Sequence, residues 1–150
     1  IGEEVSTEIG HVLIYYIKEE IKPGNFKEIV KKAKDQNALV VIPHPYDIGI
    51  LRNSKINLGF HKEFIDAVEG INGRVTSNSF NKKTQKDARK LNLALTAGSD
   101  THFRKEIGKC YTLFEDDLRT ALKEKKTIIK GNNKRSFIPK IKSFILRLKS

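Results

Sequence analysis

Apolar positions along the chain fall into short runs and helical spacings that alternate. Val12–Ile17 is an unbroken apolar, branched and aromatic run, which predicts a buried strand. Pro23-Gly24 marks a turn. Asn25 followed by Glu28 resembles a capping box, and Phe26, Ile29, Val30 and Ala33 recur at helical spacing, so a helix is expected over Phe26–Lys34. Ala38–Ile42 predicts a second buried strand, followed by a polar loop through Pro45, Gly49 and Asn53. Phe60–Ile65 predicts a short helix, and Asp66–Glu69 leads into or forms a third strand. Ser79–Leu91 predicts a helix with a polar outer face, Leu93–Ala97 a fourth strand, Asp116–Lys125 a helix and Thr127–Lys130 a last strand. Strands separated by helix-length segments imply βα units and a parallel sheet, closed into a barrel or open and doubly wound. In either case ligands gather at the C-terminal ends of strands.

The remaining pattern is a tail. Phe137, Ile141, Phe144, Ile145 and Leu148 are spaced as the apolar face of a helix over Ser136–Ser150, with Pro139 in its first turn. We therefore divide the chain into a body, 1–131, and a basic amphipathic helix, 132–150. Charge sharpens that division. The 150 residues carry a net charge of +11, but residues 123–150 hold ten Lys/Arg against one acid. Residues 1–122 are thus close to neutral, at +2, and the basic character that would suit nucleic acid or an anionic membrane surface belongs to the segment from Lys123 onward. Sparse aromatics and the absence of Trp give base stacking little support, so packing of this helix on the body is the simpler expectation. No apolar run approaches the roughly 20 residues of a transmembrane helix. The single cysteine, Cys110, excludes an internal disulfide framework and fits a reducing cytoplasm.

Four short segments carry candidate chemistry. Gly2-Glu3-Glu4-Val5 precedes Gly10-His11, which opens the first predicted strand. Pro43-His44-Pro45 closes the second, Val68-Glu69-Gly70-Ile71-Asn72 follows the third, and Gly98-Ser99-Asp100-Thr101-His102 closes the fourth. Carboxylates and imidazoles are the usual ligands of Zn, Mn and Fe. Asp100 and His102 are two apart, so they can face the same way. Prolines on both sides of His44 stiffen its backbone. Three of the four histidines fall in these segments; His61, in a predicted helix, reads as a surface residue. Taken singly, each segment is ordinary turn or cap chemistry. Four of them at successive strand ends make a metal site the stronger reading.

In this order the segments resemble the later motifs of the PHP (polymerase and histidinol phosphatase) superfamily: Gly-x-Glu, a His opening a strand, His-Pro, Ile/Val-Glu-x-x-Asn, and Gly-Ser-Asp-x-His. The resemblance covers about residues 2–110, and Ile107-Gly108 continues it. It implies part of a distorted (β/α)7 barrel and a cluster of two or three divalent ions (Mn, Zn or Fe). Its metal ligands would be Glu4, His11, His44, Asp100 and His102, with His44, Asp100 and His102 central to catalysis. Glu4 rather than Glu3 is the match, being the third residue of Gly-x-Glu. Glu69 is expected to be structural, Asn72 a pocket residue, and Arg52 either a phosphate contact or a solvated loop cation. The family's opening His-x-His and its later Asp-His segment have no counterpart here, and the chain starts at Ile1 without any Met. The expectation is therefore the C-terminal portion of such a domain, with a weakened cluster.

The activity implied is metal-assisted hydrolysis of phosphoesters: a small phosphorylated metabolite, a nucleotide or an oligonucleotide. No nucleophilic Ser or Cys is needed, and no motif histidine lies beside Cys110 in sequence. The competing reading is a non-catalytic PHP-like module that binds nucleic acid or a protein partner.

Overall fold

The computed structural model describes residues 1–48 and 54–131. Arg52 and the predicted tail helix lie outside these residues. Strands β1 (Gly2–Thr7), β2 (Gly10–Tyr15), β3 (Leu39–Ile42), β4 (Ala67–Asn72) and β5 (Ala94–Gly98) form one sheet in that order, and β6 (Cys110–Leu113) pairs with β7 (Ile128–Gly131). Helices α1 (Phe26–Asp35), α2 (Leu58–His61), α3 (Asn78–Leu91) and α4 (Leu118–Lys123) complete the fold. Among the described residues no helix is long and apolar enough to cross a membrane.

The barrel expectation is corrected here. β1, β2 and β3 are antiparallel to one another in succession, and only β3–β4–β5 are parallel. β6 and β7 form a separate antiparallel pair. A (β/α)7 barrel needs parallel strands that close on themselves. The described strands instead make an open mixed sheet with a hairpin at one end and no closure.

Alternation along the strands separates two packed faces. Val5, Val12, Ile14, Val40, Ile42 and Val68 face α1 and α3 and form the larger core, into which Phe26, Ile29, Val30, Ala33 and Ala88 insert. On the opposite face, Leu39, Val41, Ala67 and Ala94 pack with Leu122 of α4, beside Leu13, Tyr15 and Leu118. β3 is buried at all four positions because it is covered on both sides, which is why it reads as a continuous apolar run.

Helix α1 starts where its sequence predicts, with the Asn25 side chain accepting from Lys27 N. The second acidic partner, however, comes from a distance: Glu8 accepts from Phe26 N and from Asn25 Nδ2. Glu8 thus satisfies the first helical N–H from the β1–β2 turn, which pins the hairpin to α1.

Candidate metal centre

Cross-strand register assembles the first half of the site. Val5 pairs with Val12 and turns to the large core, so Glu4 and Ser6 project from the other face of β1. Ser6 pairs with His11, and Glu4 with Leu13 two residues along, so Glu4 and His11 are diagonal neighbours on one face. Glu3 faces the opposite way, where its carboxylate accepts from Ile21 N at 3.0 Å. The pleat therefore separates a structural glutamate from a site glutamate at adjacent positions.

β2 runs antiparallel to β3, so its start lies at the same sheet edge as the end of β3. There His44 follows Pro43, buried and with φ of 31°. A left-handed backbone at a non-glycine residue is costly and persists only where its surroundings impose it. Tyr46 donates to Asp87 of α3 at 2.8 Å, and Asp47 accepts from the Thr76 hydroxyl and amide. These anchors hold the loop on the far side of His44.

Glu4, His11 and His44 each offer a ligand atom within 4.8 Å of the others. His11 Nδ1 lies 2.8 Å from Glu4 Oε1 and His44 Nε2 lies 3.6 Å from it, with the two rings edge-to-face. His11 Nδ1 is buried and, despite that short distance, has no aligned hydrogen-bond partner among the described residues. Two ring nitrogens and a carboxylate oxygen this close together form a donor set that a cation could share. Contact with His11 first, and with His44 second, holds the Glu4 carboxyl well below the usual carboxylate range against the opposing effect of burial. Glu4 is therefore an anionic donor at neutral pH. Burial first, and then the charges of Glu69 and Glu4, push the Tyr15 hydroxyl up to about 12. Two imidazoles and a carboxylate suit Mn, Zn or Fe.

The second half lies at the end of β5, and every residue of its motif has a local task. At Gly98 a Cβ would sit 2.6 Å from Glu69 Oε1, so glycine leaves room for that carboxylate. The Ser99 hydroxyl accepts from Cys110 N and donates to Cys110 O, stitching the loop to β6. Asp100 has φ of 50°, left-handed like His44. Its Oδ2 accepts from Asn72 Nδ2 at 3.2 Å. His102 Nδ1 lies 3.1 Å from the Asp100 carbonyl oxygen, an acceptor that calls for a proton on Nδ1 and makes Nε2 the lone-pair nitrogen. Glu106, buried with Arg74, accepts from His102 N at 3.0 Å. Asp100 and His102 stand beside each other, and neither belongs to the group of three whose ligand atoms all lie within 4.8 Å of one another.

Some residues emerge only in three dimensions. A pocket of about 230 Å³ opens beside His11 and His44, lined also by Ser6, Gly10, Ser54 and Lys55. Gly10, at φ of 135°, brings the backbone close to Ser54. Lys55 N donates to Ile9 O, which holds the returning chain against the hairpin turn. Nothing in the spacing of Ser54 and Lys55 signals this position. Asn72, by contrast, is buried with its amide turned to Glu69 and Asp100. His61 is no plain surface residue: its ring packs against Phe26 and Phe60, and burial lowers its pKa. Cys110 is buried, as a structural thiol would be.

The described strands form an open α/β sheet, with Glu4, His11 and His44 grouped at one place on it. The family described as PHP-associated matches residues 78–127, the stretch from α3 through the Gly-Ser-Asp-x-His motif to α4, and supports this chain as a C-terminal portion of the PHP superfamily. The chain is 35% identical over 121 residues to an uncharacterized protein from Methanocaldococcus jannaschii, covering 77% of this chain and 51% of that protein. The crystal structure of PsfC from Pseudomonas syringae PB-5123 shares the fold, with a TM-score of 0.70 at 18% identity over 99% of this chain and 65% of that one. The chain thus spans about half the length of the archaeal relative.

Proposed function

We propose that this chain carries part of the metal-binding face of a phosphoester hydrolase acting on a small phosphorylated metabolite, a nucleotide or an oligonucleotide. The convergence of Glu4, His11 and His44 beside a pocket lined by Ser6, Ser54 and Lys55, at the sheet edge that also carries Asp100 and His102, is the observation that supports this reading most. A bound divalent ion of the Mn, Zn or Fe kind supplies Lewis acidity to a phosphoryl oxygen and lowers the pKa of water. The protein's own part is positional. His44 is fixed by its two prolines and the Tyr46 and Asp47 anchors. Glu4 stays ionised beside two imidazoles. Lys55 and the Ser6 and Ser54 hydroxyls line the space where phosphate oxygens would be received and oriented. Arg52, outside the described residues, is retained as a phosphate contact from the same loop.

The test is hydrolysis of a phosphomonoester and a phosphodiester chromogenic substrate with Mn or Zn by the protein that contains this chain, alongside elemental analysis. Asp100→Ala should abolish turnover, and His102→Ala should lower bound metal. Turnover that survives Asp100→Ala with unaltered metal dependence overturns the mechanism. Tight metal binding with no turnover on any phosphoester would favour the binding-module reading instead.

A further inference from the structure

The two halves of the site come from different parts of the sheet, and something must set their separation. In a regular strand, residues three apart face opposite sides. Glu69 and Asn72 of β4 do not, because the β4–β5 register slips between them: Glu69 lies opposite Thr96, Ile71 opposite Ala97 and Asn72 opposite Gly98. Gly70 is the extra residue of a bulge, a device that re-aims side chains. A Cβ there would come within 2.8 Å of Leu95 and 3.1 Å of Ile129, so the bulge packs tightly around a glycine. The result is that Asn72 Nδ2 reaches Glu69 Oε2 at 2.8 Å and Asp100 Oδ2 at 3.2 Å. The same Glu69 oxygen accepts from His44 N at 3.2 Å. One amide and one carboxylate therefore join the backbone of the His44 segment to the side chain of Asp100.

Asn72 is itself immobilised. Its Oδ1 accepts from Arg74 N at 2.7 Å, and Asn81 of α3 bonds both its N–H and its carbonyl. At 1% exposure it has no face toward the pocket solvent. A neutral donor suits this position, since it lies between two carboxylates that would otherwise repel.

Resting on the metal-centre reading above, we propose that Asn72 is a positioning residue: through Glu69 it ties Asp100 to the His44 end of the sheet and sets the geometry of the joint site. Changes at such supporting positions typically cost 10–100-fold in metal affinity. The experiment is Co(II) binding followed by visible absorption and equilibrium dialysis, on the protein containing this chain, for wild type, Asn72→Ser, Asp100→Asn and the double variant. Serine keeps an oxygen for Arg74 N but is too short to bridge Glu69 and Asp100. Asn72→Ser should weaken cobalt binding roughly 10–100-fold. Its bound-cobalt spectrum should move to that of Asp100→Asn, and the double variant should be no weaker than Asp100→Asn alone. Asn72→Ala, which removes both bonds without adding a charge or a ligand, carries the same spectral test if the serine variant misfolds. A wild-type cobalt spectrum in either folded variant, or additive losses in the double variant, overturns the assignment. Absence of cobalt binding by wild type itself overturns the metal-centre reading, and this inference with it.

Discussion

The two halves of the candidate site are built in opposite ways. Glu4 and His11 stand on a hairpin, where register between adjacent strands brings them to one face, and His44 joins from the next strand. Asp100 and His102 stand on a loop after a parallel strand, held by buried partners from β4 and from the Arg74–Glu106 pair. Position in the first half follows from pleat and pairing, which any well-formed hairpin provides. Position in the second depends on specific polar contacts: Ser99 with Cys110, Asn72 with Asp100, and Glu106 with His102 N. The first half should therefore fail through loss of the sheet, and the second through loss of single hydrogen bonds. Both halves share one feature, a left-handed backbone at the strand-end residue, His44 or Asp100, imposed by these surroundings.

The strongest way to break the hairpin half is through its core. Ile14 is fully buried on β2 and pairs with Glu3 and Val40. Ile14→Ala should cost about 2–5 kcal/mol by thermal or denaturant unfolding. Next in size, Gly98→Ala places a methyl group against the Glu69 carboxylate. It should cost about 1–3 kcal/mol and should perturb Asp100 before it perturbs the hairpin. This is read by unfolding together with amide chemical shifts at both places.

Adjacent glutamates provide a finer contrast. Glu3→Gln removes the charge from a carboxylate bonded to Ile21 N and should cost on the order of 1 kcal/mol of stability while leaving metal content unchanged. Glu4→Gln should lower metal content, and it should also cost apo-protein stability at neutral pH, because the His11 and His44 contacts that hold the Glu4 carboxyl low stabilise its ionised form in the fold. Equal effects of the two substitutions on metal content would break the face assignment. The smallest expected effect lies outside both halves. Burial lowers the His61 pKa in the fold, with the positive charge of Lys27 acting in the same direction. The unfolded chain then binds more protons than the folded one as pH falls below the ordinary histidine value of 6.5, and stability drops through that window. His61→Leu should remove this component, so the slope of melting temperature against pH between neutral and mildly acid conditions should become shallower than in wild type.

Much of this architecture is legible in the residues themselves. β3 announces itself because it is covered on both faces, and α1 because Asn25 and the spacing of Phe26, Ile29, Val30 and Ala33 agree. β1 and β6 are less visible. β1 has a single buried position, Val5, and β6 is buried only at Cys110, so neither presents an apolar run or clear alternation. The expected parallel barrel failed for a related reason. Helix-length spacers predict parallel neighbours, yet the 23 residues between β2 and β3 form a loop and a helix that return the chain antiparallel. Spacer length does not fix strand direction.

By itself, the sequence determined which residue types stand at which strand ends: His11, His44, Asp100 and His102, with glycine or proline beside the first two. It also set the local periods that make the strands and helices around them. The tertiary structure decided why Glu4 and not Glu3 faces the site, how a bulge at Gly70 returns Asn72 to the side of Glu69, and that Lys55 lines the pocket. The division has a physical basis. Propensity, capping and amphipathic spacing depend on residues within a turn or two of each other. Strand direction, register and buried hydrogen-bond networks depend on partners such as His44 and Glu69, or Asn72 and Asp100, that are separated by 25 and 28 positions and meet only when the sheet is assembled.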